Sequence, residues 1–384
     1  MSASPRMDSR CVPTALDMET DDESCRMLLD SAEDFFRRQP PAAGRAPSGA
    51  AWRALADQGW LALRLPEAYG GSALPARHGA IVAEALGRAL WPEPVGSHAV
   101  MMATLVRLLA KPGSEVWAGV AQSLLDGRHV LACTWQDQAQ QTDFAAPACL
   151  VEPGGAGLRL RGRKFGLAAA GLTDALLVTA TYDGQTALFE VPLGSPGVVR
   201  RDSATSDGGS VSVIDFHNVA VASPLACGPA VGLALQSALD EALLMASVQL
   251  YGVGDSALQT TLAYLRTREQ FGQPIGTFQA LQHACVDAAV QLMLARAACR
   301  RALDAHAQNA DAPATRAAIA AAKARASDAA LVTCRLGVQL HGAMGYTAQS
   351  YIGQCLKIAL RLSAMLGSSA SHRRRFMALE EAHD

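Results

Sequence analysis

At 384 residues, half of them hydrophobic and 18% charged, the chain holds enough apolar material for two or three cores and is excluded from the disordered class. Its formal net charge of −2 gives no electrostatic drive toward nucleic acid or an anionic membrane. Nine cysteines, at 11, 25, 133, 149, 227, 285, 299, 334 and 355, are odd in number and form no Cys-x-x-Cys pair, which argues against a zinc or disulfide framework and for reduced thiols in the cytoplasm.

Residues 1–25 lack an apolar core and carry several acidic side chains, so they read as a disordered leader and not as a signal or transit peptide. Over 26–127 apolar residues recur at helical spacing: Leu28, Leu29, Phe35 and Phe36, then Trp52, Leu55 and Trp60, then Ile81, Val82 and Leu86, then Met101, Leu105 and Leu109. Gly70-Gly71, Pro92-Glu93-Pro94 and Pro112-Gly113 punctuate them as loops, which makes this segment an all-α domain. Over 128–226 the period changes. The strings HVLACTW, GLRLRG, DALLVTATY, TALFEVPL and VSVIDF are short and β-branched, with hairpin signals at 152–155 and 183–184, and predict a small antiparallel, barrel-like β domain.

From 229 to 384 the helices return as longer runs over 231–267, 279–307, 315–344 and 351–365. The third is rich in alanine, and small residues favour close packing in a four-helix bundle. The longest apolar stretch, 231–253, is interrupted by Gln236, Asp240, Glu241 and Gln249, which argues against a membrane span. The expected class is α+β, mostly α, with a β domain between two helical ones.

Five strings then carry a family resemblance. YLRTREQFGQPIGTFQALQH (264–283) resembles the acyl-CoA dehydrogenase signature that joins two long helices of the C-terminal bundle. WRALADQGWLALRLPEAYGG (52–71) with EALGRALWPEPV (84–95) is similar to that family's N-terminal helical domain. QLHGAMGY (339–346) resembles its second flavin-facing loop, and LRGRKFGLAAAGLTDALLVTA (160–180) its central strand pair. The resemblance runs in order from about residue 25 to 376.

What it implies is specific. Arg268, Gln270 and Phe271 belong to a loop that holds the diphosphate and adenosine part of an FAD bound by a neighbouring subunit. An arginine and an amide suit a diphosphate, and Gly272 permits close backbone approach. Read from the residues alone, the same loop is equally a solvated helix end with a glycine C-cap. Gln339, Leu340, Gly342 and Ala343 belong to the second such loop, where the family usually has Gly-Gly, and Thr134 to the β-domain flavin contact. His341 reads as a packing or capping histidine.

The departures are equally specific. α,β-Dehydrogenation of an acyl-CoA needs a carboxylate to remove a weakly acidic α-proton. Where the family carries that Glu, this chain has Leu366, followed by Gly367-Ser368. A minority branch carries it at the start of the first bundle helix, at the place of Ala242. Its neighbour Glu241 is a candidate substitute, and Asp240 and Glu241 are otherwise acidic residues near a helix start. After Lys164, where Trp-Ile-Thr or Ser would pack on the flavin, the chain has Gly166-Leu167-Ala168. The resemblance therefore points to the small, base-lacking subunits of heteromeric acyl-CoA dehydrogenases. It implies an FAD shared with a partner, an acyl-CoA substrate, an electron-transfer flavoprotein as acceptor, no metal, and a dimer or tetramer containing a Glu-bearing subunit. The alternative is a catalytically silent partner that completes a neighbour's FAD site.

Overall fold

The computed structural model describes residues 23–381 apart from 40–43, Pro112, Gln140, Asp143 and Ala156; of the segment read as a leader, residues 1–22 lie outside the described residues. Helix α1 (Glu23–Arg38) begins three residues inside that segment. Its Phe35 and Phe36 pack against Trp60 and Trp91 with ring centroids 5.0–5.6 Å apart, largely edge to face, as the ring quadrupoles favour. Helix α2 (Gly49–Asp57) starts on Ser48, whose Oγ accepts the Ala51 N–H at 3.3 Å. Then come α3 (Ala76–Arg88), a π-helical turn over Gly96–Val100, α4 (Met101–Leu109) and α5 (Glu115–Asp126).

The β domain comprises β1 (Leu131–Thr134), β2 (Leu150–Gly154), β3 (Gly157–Ala168), β4 (Ala175–Tyr182), β5 (Gln185–Pro192), β6 (Val198–Ala204), β7 (Ser210–Val221) and β8 (Ala226–Cys227). The strand order is β6-β7-β3-β2-β4-β5-β8, with β1 also on β4. Most pairs are antiparallel, but β1 and β2 both run parallel to β4, so the sheet is mixed where alternation alone predicts an antiparallel one. The β4–β5 hairpin follows the Asp-Gly signal: Asp183 and Gly184 both have positive φ and Tyr182 faces Gln185, as a two-residue primed turn requires. A separate apolar cluster containing Phe189, Phe216, Leu160 and Val178 fills this domain.

Helix α6 (Pro229–Thr267) is the buried spine of the molecule. Among the described residues it alone has the length and composition to cross a membrane, and most of it lies inside the core. α7 (Gln279–Gln308), α8 (Pro313–His341) and α9 (Tyr351–Ala364) pack with it as the bundle, and a further helix, α10 (Ser369–Glu381), lies against α8. The alanine run of α8 ends at His341, three residues short of the expected Met344, because Gly342–Tyr346 tightens into a 3₁₀ turn. The crossing of α3 over α6 is very close: a Cβ on Gly87 or Gly252 would overlap the facing helix's backbone.

Candidate functional site

The first expected flavin loop is not a glycine-capped helix end. α6 stops at Thr267 with Arg268 in an extended conformation, and the chain turns back as a two-strand clip, β9 (Glu269–Gln270) on β10 (Gln273–Pro274). Phe271 and Gly272 occupy the turn at positive φ, which glycine tolerates and phenylalanine adopts at a cost. That strain presents the Phe271 ring to solvent, 93% exposed, edge-on to Phe278 at 6.1 Å. Arg268 and Gln270 are exposed beside it, and among the described residues the Arg268 guanidinium makes no ion pair.

The second loop lies at the same end of the bundle. Gln339, Gly342 and Ala343 are exposed and Leu340 is half-buried, and Gly342 takes a positive φ with open space around its α-carbon. The two loops are joined by a ring pair. His341 stacks on Tyr264 of α6 with centroids 4.2 Å apart and planes 19° from parallel.

Thr134 is elsewhere. It ends β1, which packs on the π-helical turn, and Gly96 of that turn faces the Ala242 carbonyl of α6. At 1.5 Å per residue, Ala242 and Arg268 are roughly 40 Å apart along α6. Thr134 and the clip therefore lie beside well-separated stretches of α6. The Thr134 Oγ is buried and without a hydrogen-bond partner among the described residues, an arrangement that fits a ligand contact. Gly166 does not. Its φ is positive, and a Cβ there would overlap Gln136 Oε1, so the Gln136 amide fills the place where a large side chain would wall a flavin. Gln136 is fixed in turn by its Nε2 donating to the Gln141 carbonyl at 3.0 Å and by the Phe165 N–H on its own carbonyl at 2.9 Å. Ala168 supplies no hydroxyl.

Glu241 is held as an anchor. It is 1% exposed. Arg64 donates to both its oxygens at 2.8 and 3.1 Å, Arg107 at 2.5 Å and Thr104 at 2.9 Å, and His306 Nε2 lies 3.4 Å away. Burial opposes its ionisation, but the His306 and Arg64 hydrogen bonds and the two guanidinium charges outweigh that and hold the carboxyl far below the usual carboxylate range. A carboxylate so saturated is a poor proton acceptor. The neighbouring Asp240 faces another way and is engaged by Arg375 of α10 at 2.7 Å.

Leu366 lies in the corner between α9 and α10, only 8% exposed and at positive φ, with its side chain in the main apolar cluster. Its carbonyl accepts from His372 Nε2 at 2.8 Å. Gly367 is pressed against Thr142 of the β domain, so the corner is locked between domains.

Two family models match the chain: the acyl-CoA dehydrogenase N-terminal domain over residues 22–117 and the C-terminal domain over 232–378, together more than half of it. The chain belongs to the acyl-CoA dehydrogenase family. Acyl-CoA dehydrogenase FadE27 of Mycobacterium tuberculosis is 29% identical over 355 residues, covering 90% of this chain and 89% of that one. Among solved structures, a variant of the Tcur3481-Tcur3483 steroid ACAD matches with a TM-score of 0.81 at 27% identity, over 94% of this chain and 99% of that one. The ChsE4-ChsE5 complex of Mycobacterium tuberculosis matches with a TM-score of 0.81 at 25% identity, over 95% and 99%.

For an acyl-CoA dehydrogenase, the residue the sequence hides best is Lys323. It sits mid-way along alanine-rich α8, fully buried, and its ammonium donates to the carbonyls of Leu362 (3.0 Å), Ser363 (3.2 Å) and Gly367 (3.2 Å), with Ser327 Oγ at 3.4 Å. It caps α9 from the side and holds the Leu366 corner. Only its incongruity among alanines marks it in the sequence. Burial lowers its pKa to about 7 from an ordinary 10.5, so between those values the unfolded chain binds the extra proton and stability rises with pH. Above about 9 the buried cysteines work in the opposite direction, because burial raises their pKa values, Cys299 and Cys334 to about 12. Thermal unfolding between pH 7 and 9 is thus expected to show a rising midpoint in the wild type and a flatter profile in Lys323→Met; parallel profiles would show that the amine is not the titrating group.

Proposed function

We propose that this chain is one subunit of a heteromeric, FAD-dependent acyl-CoA dehydrogenase. It lends Arg268, Gln270, Phe271, Gln339, Leu340, Gly342 and Ala343 to the flavin of a neighbouring Glu-bearing subunit and has no base of its own. The observation that carries this reading is the divided site. Both lent loops meet at one exposed end of the bundle, with Phe271 standing out 93% exposed, while the chain's own ring-binding half borders α6 by way of the π-helical turn at Ala242, roughly 40 Å of helix before Arg268, and is partly filled by Gln136. FAD is the cofactor of dehydrogenases that share the fold, and the likeness to a two-component complex supports a partnered assembly.

Domains over 26–127, 128–226 and 229–384 follow from the same reading. The substrate class is an acyl-CoA thioester, and the likeness to a steroid dehydrogenase supports a bulky acyl group. Bound flavin would accept a hydride from the β-carbon of the thioester and pass the electrons to an electron-transfer flavoprotein. This chain's residues do the holding. Arg268 meets the diphosphate with charge-assisted donors, Phe271 covers the adenosine part, and Gly342 admits it close to the backbone. The outward row Val286, Val290, Met293 and Leu294 on α7 provides an apolar face for packing between subunits. The second reading, a silent partner, is favoured by the Gln136 amide at Gly166 and by the apolar Leu366.

Arg268→Ala is expected to lower the FAD occupancy of the assembled complex after dialysis, since a charge-assisted contact is worth about 1.5–3 kcal/mol. Unchanged flavin absorbance would mean that the clip is only a helix end.

A further inference from the structure

The Tyr264–His341 pair joins two elements that nothing in the sequence links. Tyr264 lies in the last turn of α6 and its carbonyl accepts the Arg268 N–H at 2.8 Å, so it directly precedes the clip. His341 is the last residue of α8 and precedes Gly342. The rings lie face to face, 4.2 Å between centroids and 19° from parallel. His341 Nδ1 is 2.8 Å from the Gly337 carbonyl, an acceptor only, so Nδ1 carries the hydrogen and the ring is pinned in one orientation.

Besides this stack the clip is held by its own short pairing, Gln273 on Gln270, by the Ile275 N–H on the Arg268 carbonyl at 2.8 Å, and by the edge-on contact of Phe271 with Phe278. Helix ends fray, and two loops approaching one ligand must keep their spacing to about 0.5 Å. We propose that His341 and Tyr264 are positioning residues, a splint that sets the distance between the Arg268–Phe271 clip and the Gln339–Ala343 turn so that both reach one FAD. This rests on the reading of these loops as a lent flavin site. Burial keeps the His341 pKa below its ordinary 6.5, against the Gly337 hydrogen bond, so the ring stays neutral at physiological pH.

The test uses the full chain in complex with its flavin-bearing subunit and FAD as the probe. FAD affinity is measured by equilibrium dialysis for Arg268→Ala, His341→Ala, His341→Phe and Tyr264→Leu, with unfolding midpoint and light scattering recorded for each. His341→Ala and Tyr264→Leu are expected to bind FAD about threefold to tenfold more weakly, the size of one aromatic pair, without a change in assembly. His341→Phe, which restores a ring, should return the affinity to within about twofold of wild type. A cofactor-free readout is the imidazole titration of His341 by NMR, which should shift upward in Tyr264→Leu as the ring becomes hydrated.

If Arg268→Ala leaves FAD affinity unchanged, the flavin reading of the loops fails, and the splint with it. If Arg268→Ala weakens FAD but folded His341→Ala binds it like the wild type, the splint alone is wrong. An His341 titration that does not respond to Tyr264→Leu overturns the coupling even where the dialysis variants prove too unstable to assay.

Discussion

Glu241→Gln is expected to cost about 3–5 kcal/mol of stability, because removing one member of a buried ion-pair network leaves the others uncompensated. Glu241 is the point where Arg64 from the chain before α3, Thr104 and Arg107 from α4, and His306 from α7 converge on α6. Neutralising it leaves the Arg64 guanidinium, whose side chain is only 12% exposed, without its counter-charge and removes one tie between the N-terminal helices and the bundle. The pH dependence has a definite sign. The folded carboxyl titrates below its ordinary 4.5, so its contribution is complete above that value and is lost as pH falls through the depressed one. Chemical denaturation of wild type and variant at pH 7 checks this; a variant within about 1 kcal/mol of wild type would show that the guanidiniums are satisfied without it.

The isolated chain is expected to show no appreciable acyl-CoA oxidation with an artificial electron acceptor. General-base catalysis typically contributes about 10²–10⁴-fold, and Leu366 cannot take a proton. Glu241 offers no rescue, since its oxygens are already taken by two arginines and a threonine. Leu366→Glu alone should not create activity either. The corner holds its backbone at positive φ under Lys323 and His372, and Gln136 still fills the space beside Gly166. Activity that appears only on adding a Glu-bearing subunit would place the base in that partner. Turnover of an acyl-CoA by the chain alone would sink the proposal.

Apolar spacing of 3.6 or 2 is a local property, so the order of helical, β and helical segments is legible in the sequence alone. So is the chemistry at each motif position: a leucine at 366, a glycine at 166 and an arginine at 268 are covalent facts. Legibility fails where local pattern is absent. Strand β6 carries Arg200, Arg201 and Asp202 and shows no apolar alternation, because it is exposed along most of its length, and in β2 Pro153 reads as a breaker. The parallel pairing of β1 and β2 on β4 depends on which strands, distant in sequence, meet in the folded sheet, and alternation does not encode that. The roles of the two adjacent carboxylates come from packing. Asp240 and Glu241 differ by about 100° of helix rotation, and that angle sends one to Arg375 and the other to Arg64 and Arg107, each far away in the chain. The same separation in sequence hides the Lys323 latch and the His341–Tyr264 stack, since a contact between helix ends exists only once the helices have packed.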